Sequence, residues 1–153
     1  MEFVSSIINL ALFIALIFGI YYAYKKINES IVESKLRPFI NGHASSVAFS
    51  FSYGEAVFYQ DHFTYNYNQY MYSDLKDITI EDGFGYFQFA IFRTDTKSLL
   101  VNFTFKDDSE VKLYRKGRSI YGIGTTGIVK RQKISMEQIK KHILTRRVNE
   151  KHK

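Results

Sequence analysis

An uncharged run of twenty-two residues, FVSSIINLALFIALIFGIYYAY at positions 3–24, constrains this chain more than any other feature. At about 1.5 Å per residue, a helix of this length reaches roughly 33 Å, and the hydrocarbon core of a bilayer is about 30 Å thick. Tyr21, Tyr22 and Tyr24 lie at its end, where an interfacial aromatic belt is expected. The sequence therefore predicts a single transmembrane helix close to the N-terminus.

The residues around this run decide between a membrane anchor and its alternatives. A cleavable signal peptide needs a basic start and a small-residue cleavage site, whereas residue 2 is Glu and the run ends in bulky tyrosines. A helix buried in a soluble core rarely has so many uncharged residues in a row. Lys25 and Lys26 follow directly, so the positive-inside rule predicts an outside N-terminus and a cytoplasmic domain at the cell membrane.

The composition of the remaining chain, about 130 residues, indicates one mainly-β domain with a basic C-terminal end. The chain has 14 Phe and 12 Tyr, and aromatic residues favour strands. The net charge of +6 is uneven: residues 129–153 hold nine basic and two acidic residues, and residues 27–128 hold ten basic and twelve acidic residues. The basic character therefore belongs to the C-terminal part.

Residues 27–45 are predicted to form a helical stalk and a linker. Ile27, Ile31 and Leu36 recur at helical spacing, together with Val32. Pro38 is predicted to end the helix, because a proline disfavours helical geometry in the residue before it. The predicted division is a transmembrane anchor at 1–26, the stalk and linker at 27–45, the β domain with its C-terminal helix at 46–147, and a basic tail at 148–153.

From Ser46 onwards, large and small residues alternate with a period of two, which indicates short β-strands. Strands are predicted at 47–53, 56–60, 63–68, 75–81, 85–93, 99–106 and from 111 onwards. Asp82-Gly83 is predicted to be a hairpin turn, and residues 94–98 a polar break. The connections are too short for parallel crossovers, so the sheet is expected to be antiparallel and strongly bent or barrel-like.

The C-terminal part is predicted to contain an irregular segment followed by one amphipathic helix. Residues 117–133 are interrupted by glycines and are expected to be irregular. Ser135 and Gln138 match a capping box, in which the two side chains satisfy the first free amides of a helix. Met136, Ile139 and Ile143 then form one apolar stripe.

An antiparallel run of about seven strands closed by one C-terminal helix resembles the pleckstrin-homology-like (PH-like) barrel. The segment Tyr72-Ser73-Asp74-Leu75-Lys76-Asp77-Ile78, after a hairpin containing Asp61-His62-Phe63, resembles a step in bacterial PH-like domains attached to membrane segments. The resemblance covers most of residues 46–147. The first strand lacks the basic cluster of phosphoinositide-binding relatives, and the segment 117–133 is longer than such a barrel needs.

A single span with an outside N-terminus and a cytoplasmic PH-like domain is similar to bacteriocin immunity proteins of the sublancin-immunity type. This resemblance implies a non-enzymatic role in protecting a cell from a membrane-active peptide. The implied partners are the lipid bilayer and a membrane protein or antimicrobial peptide. No nucleic-acid partner is expected, because a membrane anchor keeps the domain away from most nucleic acid. The alternative is an accessory subunit of a bacterial envelope machine for conjugation or secretion.

The sequence offers no complete set of catalytic, cofactor-binding or metal-binding residues. Residues 122–127 match G-x-G-x-x-G, but the parallel unit and the later acidic residue of a dinucleotide site are missing. The four histidines have no ligand spacing, and without cysteine a structural zinc site is not expected. They are His43, His62, His142 and His152. We therefore expect no enzyme activity, no cofactor and no metal.

Nine basic residues form the one charged feature with a plausible ligand, the anionic lipid of the inner leaflet. They are Lys25, Lys26, Lys130, Arg131, Lys133, Lys140, Lys141, Arg146 and Arg147. Each charge close to such a surface contributes about 1 kcal/mol of attraction. The alternative is that these side chains are simply solvated, as is common for a basic terminal helix.

Overall fold

The computed structural model describes the backbone of residues 2–89, 92–117, 119–120, 123–124 and 126–150, and the side chains in these ranges except at 2–5, 84–97, 119–126 and 148–150. In these ranges, nine strands lie between two helices and form a four-stranded, a three-stranded and a two-stranded antiparallel sheet. The elements are α1 Glu2–Ile40, β1 Ser46–Phe51, β2 Gly54–Tyr59, β3 His62–Tyr65, β4 Asn68–Met71, a single 3-10 turn Tyr72–Asp74, β5 Leu75–Phe89, β6 Phe92–Phe105, β7 Glu110–Lys116, β8 Ser119–Ile120, β9 Ile123–Gly124 and α2 Thr126–Glu150.

The predicted apolar N-terminal helix, antiparallel strands and C-terminal helix are confirmed. None of the three sheets closes on itself within the described residues. The antiparallel sheets are therefore observed, but the closed barrel that the sequence predicted is not. The strand orders are β1-β2-β3-β4, β5-β6-β7 and β8-β9. Within each sheet, strands that follow one another in the sequence pair with each other, as the short connections required.

Helix α1 is one continuous element that joins the apolar run to the folded domain. It passes through Pro38, which was predicted to end it, and stops at Ile40. The end is a Schellman motif around Gly42, whose φ is +76°: the amide of Gly42 donates to the carbonyl of Phe39 at 3.1 Å, and that of His43 to Pro38 at 2.8 Å. Glycine suits this left-handed position, so the helix ends at Ile40, two residues beyond the proline that was predicted to end it.

The four-stranded sheet is a meander with tight turns. The β1–β2 turn is closed by Gly54, at which an added Cβ atom would lie 2.3 Å from Oδ1 of Asn66. The β3–β4 turn places Asn66 and Tyr67 at φ values of 49° and 66°. A turn with two positive φ angles matches the right-handed twist of the strands that it joins.

The three-stranded sheet contains a long hairpin, β5 and β6, in which the sequence wrongly predicted an additional turn and a break. Strand β5 continues through Asp82 and Gly83, which pair with Leu99 and Ser98 of β6 instead of forming a turn. The predicted polar break at 94–98 also lies within β6. A Cβ atom added to Gly83 would lie only 2.2 Å from the Oγ atom of Ser98. The two strands approach so closely here that a residue with a side chain would clash with Ser98. Residues 90–91, inside the predicted strand 85–93, lie outside the described residues.

The two larger sheets meet at β1 and β7 and enclose an aromatic core. The amide of Ser52 donates to the carbonyl of Tyr114 at 2.7 Å, just beyond the end of β1. Inside, Phe63 of β3 packs at a tilt against Phe103 of β6, with ring centroids 4.5 Å apart, and the ring centroid of Phe58 of β2 lies 5.6 Å from that of Phe63. Burying each such ring contributes about 1.5–3 kcal/mol.

Helix α2 begins at Thr126, so the predicted irregular segment and capping box are wrong for this part of the chain. Ser135 is buried in mid-helix, and its hydroxyl donates to the carbonyl of Arg131 at 2.9 Å. The buried stripe starts earlier than predicted, because Val129, Met136 and Ile143 recur every seven residues. A serine followed three residues later by glutamine therefore occurs here inside a helix.

Helices α1 and α2 run in parallel. Asn28 contacts Arg131, and eleven residues further on Phe39 contacts His142, whose ring centroid is 5.6 Å away. The buried face of α1 consists of Asn28, Val32, Leu36 and Phe39. The segment predicted as a stalk thus supplies core side chains, and α2 starts at the end of the domain nearest the apolar run.

Candidate functional site

The N-terminal half of α1 leaves its apolar side chains uncovered. Leu12 is 64% exposed and Phe18 is 68% exposed, although both are large and apolar. A core helix of a soluble protein would bury such residues. Helix α1 is long and apolar enough to span a membrane, and none of its most apolar eighteen-residue window is covered by the rest of the described chain.

Aromatic and basic side chains surround α1 where it meets the start of α2. The ammonium of Lys26 lies 5.6 Å from the ring centroid of Tyr22. The ammonium of Lys130, from α2, lies 5.5 Å from Tyr21 and 5.4 Å from Tyr24. These distances fit cation–π contacts, so the start of α2 adds a charge to the predicted tyrosine belt.

Gly127 and Asn28 allow the two helices to approach closely at this junction. A Cβ atom on Gly127 would lie 3.0 Å from the hydroxyl of Tyr24. Asn28 is buried and its amide donates to the carbonyl of Tyr24 at 2.9 Å. Its Oδ1 atom accepts a hydrogen bond from Arg131 at 3.3 Å. A buried amide satisfied from both helices fixes their relative position.

The nine predicted basic residues do not form one surface. Lys25, Lys26, Lys130 and Arg131 lie at the junction of the two helices. Lys133, Lys140 and Arg146 contact the domain instead: Lys133 pairs with Asp82 at 2.6 Å, Lys140 donates to the carbonyl of Ile78, and Arg146 donates to the carbonyl of Gln60 at 2.9 Å. Lys141 is exposed and Arg147 is half-buried.

Lys35 and Arg115 are two cations near the junction that the sequence analysis missed. Lys35 lies on α1, with its ammonium 4.2 Å from the ring centroid of Phe49 and 3.0 Å from the carbonyl oxygen of Ala48. Arg115 of β7 donates to the carbonyl of Ser50 at 2.9 Å. The position of Lys35 was predictable from the sequence, because it follows Ile31 by four residues and residues at this spacing lie on the same face of a helix. Arg115 carries no such signal, since only sheet packing brings β7 there.

Other ionisable groups near the opposite end of the domain show shifted protonation. Burial lowers the pKa of His142, and the positive charge of Arg146 lowers it further. A hydrogen bond with His62, at 2.7 Å, lowers the pKa of Asp61. Burial raises the pKa of Tyr72, whose hydroxyl donates to the carbonyl of Tyr59 at 3.0 Å. These groups are engaged in packing contacts of the domain.

Neither the glycine motif at 122–127 nor the acidic and histidine side chains form a ligand site in the described part of the chain. Gly124 ends a short antiparallel strand, and Gly127 lies in α2 against Tyr24, which is not the parallel unit of a dinucleotide site. Among the residues with described side chains, no group of three His, Asp or Glu residues is arranged to hold a metal ion. His152 and the basic tail from residue 151 onwards lie outside the described residues.

Comparisons with protein-family models, with curated protein sequences and with solved structures found no match to this chain.

Proposed function

We propose that this chain is a single-pass membrane protein with an outside N-terminus and a cytoplasmic PH-like domain, which acts by binding a partner and not by catalysis. The order of four strands, three strands and one C-terminal helix supports the PH-like assignment. The placement of Lys25, Lys26 and Lys130 beside the tyrosines at the end of the span supports the orientation.

The continuity of α1 is the observation on which this proposal depends. The same helix exposes its apolar half and buries Leu36 and Phe39 in the domain core, where both are at most 1% exposed. A domain attached in this way stays at a fixed distance from the bilayer, unlike one on a flexible linker. Such an attachment suits a protein that meets its partner at the membrane surface.

Within this role, we propose protection of the cell against a membrane-active bacteriocin. The test expresses the full-length chain in a susceptible bacterium and measures the minimal inhibitory concentration of such a peptide. We expect a several-fold rise compared with the empty vector, and immunoblots of membrane fractions confirm that the protein is present. Unchanged susceptibility in cells whose membranes contain the protein would contradict the immunity role.

The second candidate, an accessory subunit of an envelope machine, is favoured by the aromatic tips of two hairpins. Tyr53 is 72% exposed, and Tyr67 is fully exposed at a positive φ angle. Tyrosine is enriched in protein–protein interfaces, so these tips offer contacts to other subunits. Co-purification of several membrane proteins from the native host in mild detergent, lost in the Tyr53→Ser/Tyr67→Ser variant, would support this candidate. Recovery of the chain alone would contradict it.

A further inference from the structure

A pocket of about 280 Å³ lies beside the helix junction, between α1, α2, β1 and β7. Its polar lining includes Lys35, Arg115, Arg131 and Gln132. Its apolar lining includes Ile31 and Ile128. The volume is close to the lower end of the range for small-ligand sites, about 300–1,000 Å³, so it suits a single headgroup.

The pocket concentrates positive charge that the protein does not neutralise. Three of its lining residues are cations, and no lining residue is acidic. Among the described residues, no carboxylate lies within 4.0 Å of the side-chain nitrogens of Lys35, Arg115 or Arg131. Glu29 and Glu33, the nearest acidic residues along α1, pair with Lys25 and Arg37 on the exposed side of the helix.

Each of the three cations keeps donors for a ligand. Lys35 donates to the carbonyl of Ala48, Arg115 to that of Ser50, and Arg131 to the amide oxygen of Asn28. A lysine has three N–H donors and an arginine has five, so these contacts orient the side chains without exhausting them. Arginine in particular matches the planar, bidentate geometry of a phosphate.

The pocket begins at the level of the headgroup layer of a bilayer and extends away from it, because Ile31 and Lys35 lie about 10 Å and about 16 Å beyond Tyr24 along α1. Arg131 lies beside Asn28, which is four residues, or about 6 Å along the axis, beyond Tyr24. The headgroup region adds roughly 5–7 Å to each side of the hydrocarbon core. Side chains on a helix lean towards its N-terminus, so Lys35 reaches from the cytoplasmic side back towards the membrane.

An exposed apolar strip connects the span to the pocket. Ile27 is 58% exposed and Ile31 is 47% exposed, and they follow one another at helical spacing on the face that continues to Lys35. Ile128 on α2 is 40% exposed and lines the same pocket. Acyl chain next to such a strip would remain in apolar contact while its headgroup reached the cations.

We propose that this pocket binds the phosphate of an anionic phospholipid drawn from the adjacent leaflet. The proposal rests on the membrane position given under the proposed function, and it adds a specific lipid site that bacteriocin immunity does not require. Lys35, Arg115 and Arg131 contact the phosphate, and Ile31 and Ile128 contact the first part of the acyl chains. Bound lipid would bridge α1, α2 and β7.

The test measures lipid retention by the detergent-purified full-length protein in native mass spectrometry. Phosphatidylglycerol and phosphatidylcholine with the same acyl chains are compared on the wild type, on Lys35→Gln/Arg115→Gln/Arg131→Gln, and on the matched control Lys76→Gln/Lys106→Gln/Lys112→Gln. Each pocket cation is expected to contribute about fivefold to the affinity for phosphatidylglycerol, so the pocket variant loses roughly a hundredfold. The control variant removes the same charge at exposed positions and is expected to retain the affinity of the wild type.

An equal loss in both triple variants, or no loss in a pocket variant, would overturn the proposal. Thermal unfolding followed by circular dichroism checks that each variant is folded, and the single change Arg131→Glu provides a second variant if the triple change unfolds the protein. Glycerol phosphate and inorganic phosphate are added as competitors. If either displaces bound phosphatidylglycerol when both are present at the same concentration, the site binds soluble phosphate and not lipid. Bacteriocin susceptibility is scored separately, so failure of the lipid site and failure of the immunity role are distinguishable.

Discussion

At the scale of single residues, two neighbouring turns restrict which side chains the first sheet accepts. Gly54 has a φ of +151°, and its missing Cβ leaves room for Oδ1 of Asn66. Asn66 in turn adopts a positive φ of 49°, which asparagine tolerates better than most residues. The two turns therefore depend on each other through one contact.

The change Gly54→Ala is expected to destabilise the protein by about 1–3 kcal/mol, because it adds backbone strain and a clash with Asn66. The measurement is denaturant unfolding of the detergent-solubilised protein. Asn66→Gly alone should change stability by less than about 0.5 kcal/mol, since glycine also accepts the positive φ. The double variant should recover the part of the loss caused by the clash. Equal stabilities of Gly54→Ala and the double variant would show that only the φ angle matters.

His142 gives the protein a pH dependence with a defined sign. Phe39 packs on its ring, and its Nε2 atom lies 3.2 Å from Oε1 of Gln60, which also accepts from Arg146. Burial and then Arg146 lower its pKa, so the folded state favours the neutral ring. The unfolded chain has a histidine pKa of about 6.5, so this contribution to stability is complete above that pH and is lost as the pH falls towards the lower folded value.

We expect the free energy of unfolding to decrease between about pH 7 and pH 5, and to decrease less in His142→Gln, which cannot take up the proton. The measurement is denaturant unfolding at several pH values, and the difference between the two slopes isolates His142. The carboxylates with lowered pKa values, such as Asp61 and Asp107, are common to both proteins and cancel in this comparison. Identical slopes would mean that the histidine is not desolvated in solution.

At the scale of elements, one helix, α1, contains both the apolar run at 3–24 and the segment that the sequence analysis predicted as a separate stalk. Its apolar half is exposed and its second half buries one face against α2 and the first sheet. The parallel course of α2 carries its C-terminal basic residues away from the junction, by about 16 Å between the levels of Arg131 and His142. Only the start of α2 is therefore placed near the end of the apolar run.

The absence of cysteine from the sequence makes the orientation of α1 directly testable. We expect a membrane-impermeant maleimide to label Glu2→Cys in intact cells and to label Ser45→Cys only after the cells are opened. Ser45 is exposed just beyond α1, so its thiol is accessible in the folded domain. Labelling of Ser45→Cys in intact cells would place the domain outside and contradict the proposed topology.

At the scale of the whole molecule, aromatic rings hold the two larger sheets together. Phe63 lies against Phe58 and Tyr70 of its own sheet and against Phe103 of the other. Arg115 and Gln132 both donate to the carbonyl of Ser50, which ties β7 and α2 to β1. The sheets and helices are therefore expected to unfold as one cooperative unit.

The change Phe63→Ala is expected to destabilise the protein by about 3–5 kcal/mol, because it leaves a cavity between the sheets. Domains of this size are stable by only about 5–15 kcal/mol, so the variant should unfold at markedly lower denaturant concentration. Tyr67→Ala, at a fully exposed position, is the matched control and should change stability by less than about 0.5 kcal/mol. A small effect of Phe63→Ala would mean that the sheets do not share this core.

The sequence by itself determined the features that depend on local pattern. The uncharged run at 3–24 predicted an apolar helix, and the alternation after Ser46 predicted antiparallel strands, because burial of one face imposes a period on each element. Pro38, Asp82-Gly83 and the Ser135 capping pattern each gave a wrong boundary. These local signals are worth about 1–3 kcal/mol each, which burial of a helix face or the pairing of a long strand outweighs.

Only the tertiary structure decided which side chains meet. The parallel course of α2 brought Lys130 and Arg131 to the end of the apolar run, and the contact of the two sheets brought Arg115 to the same pocket as Lys35. These residues lie far apart in the chain, and the local preferences for strand or helix do not specify which distant residues come into contact. Periodicity records which face of an element is buried, but the partner of that face is chosen by packing of the whole domain.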